Sequence, residues 1–168
     1  VSESAMAAAR KGEAGMKIVV TGALGHIGSR LIRELPLIVP SLELVLVDNL
    51  STQRFASLFD LPRAASCRFV EGDVTEMDLA PVLEAADAVV HLAAITDATA
   101  SFARKDEVER VNFTATRRVA EAAAAAGAAM LFPSSTSVYG SQTEIVDEDC
   151  PAAELKPQSP YAESKLRE

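Results

Sequence analysis

Short apolar segments alternate with segments of helical periodicity along most of the chain. Five segments rich in Val, Ile, Leu and Phe predict buried strands, at 17–21, 42–47, 68–70, 88–92 and 129–134. The segments between them predict helices, at 27–35, 54–61, 79–86 and 106–126. Strands that alternate with helices predict right-handed βαβ units, and therefore an α/β fold with a doubly wound parallel sheet.

The longest predicted helix, 106–126, carries an apolar stripe with spacings of three and four residues: Val108, Val111, Ala115, Val119, Ala122 and Ala126. Gly127 suits the position just after this helix. The stretch 141–160 is polar and acidic and contains three prolines. Because it is too long for an ordinary connection, we predict that it is a functional loop.

Composition narrows the class of protein. The chain has 168 residues, a net charge of −8 and 49% hydrophobic residues, which fits one soluble globular domain. The acidic balance argues against nucleic acid or an anionic membrane surface as a partner. Two cysteines are too few for a disulfide framework and favour a reducing, cytoplasmic location. Residues 1–15 have no apolar run typical of a signal peptide, and we predict a disordered extension or an expression remnant.

A glycine-rich turn is the strongest local signal. Gly22, Gly25 and Gly28 follow the first predicted strand and open the first predicted helix. Gly22 permits a tight turn, Gly25 lets the backbone approach a pyrophosphate, and Gly28 allows the helix to pack closely on the strand. In this setting we predict a dinucleotide-binding turn, and the alternative is a plain strand-to-helix connection.

The end of the second predicted strand supports that prediction. Asp48 lies 20 residues after Gly28 (48 − 28), where an acidic side chain accepts hydrogen bonds from the adenosine ribose hydroxyls. Its charge would repel a 2′-phosphate, so NAD is favoured over NADP. Arg54 lies near enough to leave NADP open, although it also suits an exposed helix start.

Tyr161 and Lys165 are four residues apart, and on a helix they share one face. Pro160 and Ser159 suit the start of that helix. A nearby ammonium stabilises a phenolate, which makes Tyr161 a candidate general base. The hydroxyl-rich segment 134–140 follows the fifth predicted strand, where open α/β folds bind ligands. Taken separately, each signal also fits surface or loop residues.

Seven motifs occur in one order along the chain: Thr21-Gly22-x-x-Gly25-x-x-Gly28, Asp48-Asn49-Leu50, Gly72-Asp73-Val74, His91-Leu92-Ala93-Ala94, Val111-Asn112, Ser134-Ser135-x-x-Val138-Tyr139-Gly140 and Ser159-Pro160-Tyr161-x-x-x-Lys165. The set resembles the extended short-chain dehydrogenase/reductase superfamily, and within it the NAD-dependent nucleotide-sugar epimerase/dehydratase family. The resemblance implies a Rossmann-type doubly wound sheet with helices on both faces. It also implies that residues 16–168 form an incomplete NAD-binding domain, truncated before the last strands and a C-terminal substrate domain, with little activity of its own.

The resemblance implies roles for individual residues, with NAD as the cofactor. Those expected at the pyrophosphate are Gly22, Gly25, His26, Ile27 and Gly28. Those expected at the adenosine are Asp48, Asn49, Asp73 and Val74. Those expected at the middle of the cofactor are Leu92, Ala93 and Ala94. Asn112 would order the cofactor site, and Ser135, Tyr161 and Lys165 would be catalytic, with Tyr161 and Lys165 also contacting the cofactor. No metal site is expected.

The implied activity is epimerisation of a nucleotide-diphosphate sugar through transient hydride transfer at the sugar C4. Thr136 and Ser137 stand where sugar 4,6-dehydratases carry an acidic pair, which disfavours elimination. Thr96 stands where galactose epimerases often carry lysine, so the identity of the sugar stays open. The alternatives are a net dehydrogenase or reductase acting on a small carbonyl or lactone, and a non-catalytic NAD-binding or scaffold protein.

Two further expectations concern packing. His91 lies in an apolar strand, and we predict a hydrogen-bonded core histidine rather than a catalytic acid. The helix at 106–126 and the helix beginning near 160 resemble the pair that forms a four-helix dimer interface in this family. A homodimer through these helices is therefore expected, with internal packing of the alanine-rich faces as the alternative.

Overall fold

A computed structural model describes residues 15–141 and 146–168. All its sheet pairings are parallel, and the strand order is β3-β2-β1-β4-β5. The strands are β1 (Lys17–Thr21), β2 (Leu42–Asp48), β3 (Ala65–Glu71), β4 (Ala88–His91) and β5 (Ala129–Leu131). This order confirms the predicted doubly wound sheet, in which ligands bind at the carboxyl edge where the order reverses between β1 and β4.

The helices lie between the strands and after β5: α1 (His26–Ile38), α2 (Ala80–Leu83), α3 (Lys105–Val108), α4 (Ala115–Ala126) and α5 (Pro160–Arg167). A π-helical turn, Glu109–Thr114, joins α3 to α4. Within the described ranges, no helix has the length and apolar character needed to cross a membrane. The predictions for residues 1–14, and for 142–145 within the long loop, lie outside the described residues.

The core lies on both faces of the sheet, because a buried parallel strand directs alternate side chains to opposite sides. On one face, Val19 of β1 lies in a cluster with Val82 of α2 and Val119 of α4. On the other face, Val20 lies in a cluster with Ile32 of α1. Helices therefore cover both faces, as predicted, and the carboxyl ends of the strands lie at one edge.

The apolar stripe predicted along 106–126 is wrong in its last turn. Ala123 is buried and Ala126 is exposed. Ala115 and Val119, which follow the π-helical turn, are buried as predicted, and the buried face continues to Ala123, four residues after Val119. The π-helical turn places the polar side chain of Asn112 in the interior, where the exposed fraction is 0%. The expected C-cap is confirmed, since Gly127 ends α4 with φ of +69°.

Some predicted elements are shorter than expected, including the helix predicted over 79–86, which forms only as α2 (Ala80–Leu83). The helix predicted over 54–61 is wrong, because the chain forms only a 3-10 turn there, Phe55–Leu58, which buries no side chain. A helix without a buried face gains little from packing, so propensity alone does not extend it. Strand β5 ends at Leu131 rather than at 134, close to Pro133, which has no N–H to donate to a sheet.

Candidate active site

The glycine-rich turn lies directly against the end of β4. Gly22 has φ of +64°, and a Cβ added there would lie 2.6 Å from the backbone nitrogen of Ala93. A Cβ added to Gly28 would lie 2.5 Å from the carbonyl oxygen of Gly22 and 2.6 Å from that of Ala23. Both positions therefore require glycine, one for backbone conformation and the other for close approach of α1 to the turn.

Helix α1 begins with N–H groups available to an anion. Gly25 is its N-cap, and no side chain of the described residues caps it. His26 and Ile27 in the first turn are exposed. The first N–H groups of a helix have no partner within it, and the helix dipole places partial positive charge there. This end of α1 is suited to a diphosphate.

Asp48 lies at the end of β2, and its carboxylate is fixed by two backbone groups. Its Oδ2 accepts a hydrogen bond from the N–H of Leu24 at 3.0 Å, and its Oδ1 accepts one from the N–H of Leu50 at 2.9 Å. Each carboxylate oxygen has a second lone pair. Asp48 therefore both braces the glycine-rich turn and keeps acceptor capacity for ribose hydroxyls.

The side chains of Asp73 and Asn49 form a hydrogen bond between the segments that follow the neighbouring strands β3 and β2. The Nδ2 of Asn49 donates to Oδ2 of Asp73 at 3.2 Å, while Oδ1 of Asp73 accepts from the N–H and the hydroxyl of Thr75. Asp73 thus caps the next segment and also lines the cavity. Partial burial opposes ionisation, but the hydrogen bonds from Thr75 and Asn49 and the charge of Arg110 give a net lowering of the pKa of Asp73.

A cavity of about 370 Å³ lies at the carboxyl edge of the sheet. Most residues assigned to the cofactor line it: Gly22, Gly25, Asp48, Asn49, Asp73, Val74, Leu92, Ala93 and Ala94. The remaining assigned residues lie outside this lining: His26, Ile27, Gly28, Asn112, Tyr161 and Lys165. The catalytic candidate Ser135 also lies outside it.

The cavity also has lining residues that sequence reasoning missed: Ser51, Thr52, Arg104, Glu107 and Arg110. Their signals were present in the sequence. Ser51 and Thr52 directly follow the Asp48-Asn49-Leu50 motif. The charged residues recur every third position, which places them on one side of a helix. Arg104 donates two hydrogen bonds of 2.6 Å to the carboxylate of Glu107.

Asn112 connects the cofactor side of the site to helix α5. Its Oδ1 accepts from the N–H of Ile95 at 2.8 Å, and its Nδ2 donates to the carbonyl of Ile95 at 3.0 Å. The same Nδ2 donates to the hydroxyl of Ser164 at 3.2 Å. One buried amide therefore fixes both the segment after β4 and the helix that carries Tyr161 and Lys165.

Helix α5 begins as the sequence predicted. The hydroxyl of Ser159 accepts from the N–H of Ala162 at 3.1 Å, and Pro160 is the first helical residue. Tyr161 is half-buried and Lys165 is buried. The ammonium of Lys165 donates to Oε2 of Glu168 at 2.7 Å. This carboxylate is a partner that sequence reasoning missed.

Ser135 lies at the start of a 3-10 turn, Thr136–Tyr139, that packs against α5. Its Oγ accepts from the N–H of Ser137 at 3.2 Å and shares a hydrogen bond of 2.7 Å with the hydroxyl of Ser137. The candidate catalytic hydroxyl is therefore held in place by its own turn. The fold brings this turn and the helix of Tyr161 together.

His91 is a hydrogen-bonded core residue, as predicted. Its exposed fraction is 3%, its Nδ1 lies 2.6 Å from the hydroxyl of Thr21, and its Nε2 lies 3.1 Å from the hydroxyl of Thr116. Burial, assisted by the positive charge of Lys165, lowers the pKa of His91 from 6.5 to about 4. His91 is therefore neutral at physiological pH.

This lowered pKa predicts a loss of stability in mild acid. Between pH 6.5 and about 4, the unfolded chain binds a proton at position 91 and the native protein does not. The free energy of unfolding should therefore fall by about 3 kcal/mol as the pH falls through this window. Urea unfolding at pH 7 and pH 4.5 should show a smaller loss for His91→Gln than for the wild type. His26→Gln, which removes the exposed second histidine, is the control, and parallel losses in all three proteins would refute the assignment.

Comparison with known proteins adds independent information. A family model, the NAD dependent epimerase/dehydratase family, matches residues 18–167. The chain is 34% identical over 136 residues to a UDP-glucose 4-epimerase of Klebsiella pneumoniae, covering 77% of this chain and 96% of that protein. It is 32% identical over 155 residues to a dTDP-D-glucose 4,6-dehydratase of Mus musculus, covering 89% of this chain and 43% of that protein.

Among solved structures, MoeE5 in complex with UDP-glucuronic acid and NAD is similar to this chain, with a TM-score of 0.76 and 34% sequence identity. The match covers 90% of this chain and 46% of MoeE5. The chain therefore spans nearly all of the Klebsiella protein, but less than half the length of MoeE5 and of the mouse dehydratase.

Proposed function

The chain belongs to the NAD dependent epimerase/dehydratase family, and from this premise we propose that it binds NAD and serves epimerisation of a nucleotide-diphosphate sugar. The observation that carries the proposal is the arrangement at one edge of the sheet. The glycine-rich turn and Asp48 border a cavity there, and the turn after Ser135 packs against the helix of Tyr161 and Lys165. These are the parts that a hydride-transfer site needs.

The residues present fit a nicotinamide dinucleotide without a 2′-phosphate. Gly22 and Gly28 keep the turn free of side chains that would collide with the backbone, and the start of α1 offers N–H groups to a diphosphate. Asp48 offers hydrogen-bond acceptors to the ribose hydroxyls, and its negative charge would repel a 2′-phosphate. Several similar structures, MoeE5 among them, are complexes with NAD.

In the proposed mechanism, Tyr161 as phenolate removes the proton from the C4 hydroxyl of the sugar. Ser135 donates a hydrogen bond to that oxygen, and the ammonium of Lys165 stabilises the phenolate. When bound, NAD⁺ supplies the acceptor for the C4 hydride and its later donor. Inversion at C4 requires the other face of the sugar to be presented to the cofactor, after which Tyr161 would return the proton to the C4 oxygen.

Epimerisation is favoured over dehydration by the side chains next to Ser135. Elimination of water from a 4-keto sugar needs a general acid and base beside the substrate. The two residues after Ser135 are Thr136 and Ser137, which carry hydroxyls rather than carboxyls, and the hydroxyl of Ser137 is already bonded to Ser135. The family includes dehydratases, and this local chemistry supports epimerisation over dehydration.

The test is incubation of the natural protein carrying this sequence with NAD⁺ and a panel of UDP- and dTDP-hexoses. We expect a transient near-ultraviolet absorbance of reduced nicotinamide and formation of the C4 epimer, detected by NMR, with the cofactor in catalytic amount. Stoichiometric reduction of NAD⁺ with an oxidised sugar product would instead support a dehydrogenase. NAD⁺ binding with no change in any sugar would support a non-catalytic role.

The proposal includes three finer expectations from the sequence. We propose a homodimer through the helices at 106–126 and from 160, and a cytoplasmic location. We also propose that the substrate is bound largely by residues beyond the NAD-binding domain at 16–168. The size of MoeE5, of which this chain covers 46%, is the support for that last expectation.

A further inference from the structure

A chain of buried polar groups extends from the catalytic helix to the first strand. The ammonium of Lys165 donates to Oε2 of Glu168 at 2.7 Å, and the hydroxyl of Thr116 donates to the same oxygen at 3.1 Å. The hydroxyl of Thr116 lies 3.1 Å from Nε2 of His91, whose Nδ1 lies 2.6 Å from the hydroxyl of Thr21. Four hydrogen bonds thus join α5, α4, β4 and β1.

The chemistry of the groups fixes the direction of each bond. A carboxylate only accepts, so the single hydroxyl proton of Thr116 points to Glu168. Thr116 therefore accepts from His91, which must carry its proton on Nε2. The Nδ1 of His91 then accepts from the hydroxyl of Thr21. This requires a neutral imidazole, in agreement with its lowered pKa.

The ion pair at the end of this chain is almost fully removed from water. The side chains of Lys165 and Glu168 are 6% and 0% exposed. The second carboxylate oxygen of Glu168, Oε1, is buried without a hydrogen-bond partner among the described residues. Desolvation offsets much of the attraction in such a pair, and replacing both partners by apolar side chains is often neutral for stability. The main consequence of the pair is therefore the fixed position of its charges.

We propose that Glu168 is a positioning residue that fixes the ammonium of Lys165, and that Thr116 and His91 fix the carboxylate of Glu168. The inference rests on the proposed function, together with the expected contact of Lys165 with the cofactor, which we place at the nicotinamide ribose. An ammonium has three N–H donors, and Glu168 takes one of them. The bond to Glu168 fixes the directions of the other two N–H groups. One of them is then available to the ribose and the other to the side chain of Tyr161.

The test measures binding of NAD⁺ and of AMP separately by calorimetry. Lys165 acts on the nicotinamide half, which AMP lacks, so a change in its position should affect only NAD⁺. We expect Glu168→Gln to weaken NAD⁺ binding about tenfold and Thr116→Val about threefold, each with AMP binding unchanged. Thr116→Ser keeps the hydroxyl and should restore wild-type affinity.

The control is Glu163→Gln, on the exposed side of the same helix, where the carboxylate lies 3.8 Å from the ammonium of Lys105. It should bind both ligands as the wild type does. If removal of the Glu168 charge prevents folding, Thr116→Val still tests the proposal. This variant keeps the ion pair and loses only the hydroxyl that fixes the carboxylate of Glu168. Equal losses for NAD⁺ and AMP, or no loss for NAD⁺, would overturn the positioning role. A wild-type protein that binds no NAD⁺ would overturn the proposed function, and this inference with it.

Discussion

Replacing Tyr161 by phenylalanine is expected to slow hydride transfer from a nucleotide sugar about 100- to 10,000-fold, the usual contribution of a general base. The half-buried ring is kept, and only the hydroxyl that takes the C4 proton is lost. NAD⁺ affinity should change little, because Lys165 and the glycine-rich turn remain. Single-turnover measurement of nicotinamide reduction in the natural protein carrying this sequence checks the expectation.

The matched control for this variant is Tyr139→Phe. Tyr139 is the only other tyrosine, and it lies in the 3-10 turn that packs against the same helix. Loss of its hydroxyl should change the rate less than about tenfold, the size of one ordinary hydrogen bond. A Tyr161→Phe protein that reduces NAD⁺ at the wild-type rate would remove Tyr161 from the mechanism.

Replacing Asn112 by leucine should lower the free energy of unfolding by about 3–5 kcal/mol. Leucine has a similar size, so the loss comes from buried polar groups left without partners, at about 1–3 kcal/mol each. These are the N–H and the carbonyl of Ile95, while the hydroxyl of Ser164 loses one bond and keeps the one it donates to the carbonyl of Tyr161. Urea unfolding measures the change, and NAD⁺ binding should weaken because α5 is no longer fixed to the segment after β4.

Two variants calibrate this result. Asn112→Asp keeps an acceptor for the N–H of Ile95 but places a carboxylate oxygen against the carbonyl of Ile95 at a buried position, so it should be destabilised at least as much as the leucine variant. Asn49→Ala removes an exposed amide, and its free energy of unfolding should stay within about 1 kcal/mol of the wild type. An Asn112→Leu protein as stable as the wild type would mean that the three hydrogen bonds of Asn112 contribute nothing to the free energy of unfolding.

The sheet could be predicted from the sequence because its strands are apolar on both faces and are punctuated by glycine. The same holds for Gly22 and Gly28, where backbone geometry permits no other residue. The π-helical turn could not be predicted, since no local pattern marks it. In the structure this turn contains the buried Asn112, whose polar side chain would be unfavourable inside a regular apolar stripe.

The partners of the candidate site residues depend on contacts between distant parts of the chain. Asp48 was predicted as a ribose ligand from its spacing, but its bond to the N–H of Leu24 needs the folded turn. Glu168 lies three residues after Lys165, a spacing that also fits an exposed ion pair. Only the folded chain, in which α5 packs against the π-helical turn and Thr116 donates to Glu168, makes this pair a buried one.

Calorimetric titration with NAD⁺ and NADP⁺ tests whether this edge of the sheet binds NAD rather than NADP. Asp48 lies at the end of β2, paired in register with Glu71 at the end of β3. We predict that the wild type and the control Glu71→Gln bind NAD⁺ at least about tenfold more tightly than NADP⁺, and that Asp48→Asn narrows this preference. Equal or tighter binding of NADP⁺ by the wild type, or no binding of either cofactor, would contradict the account.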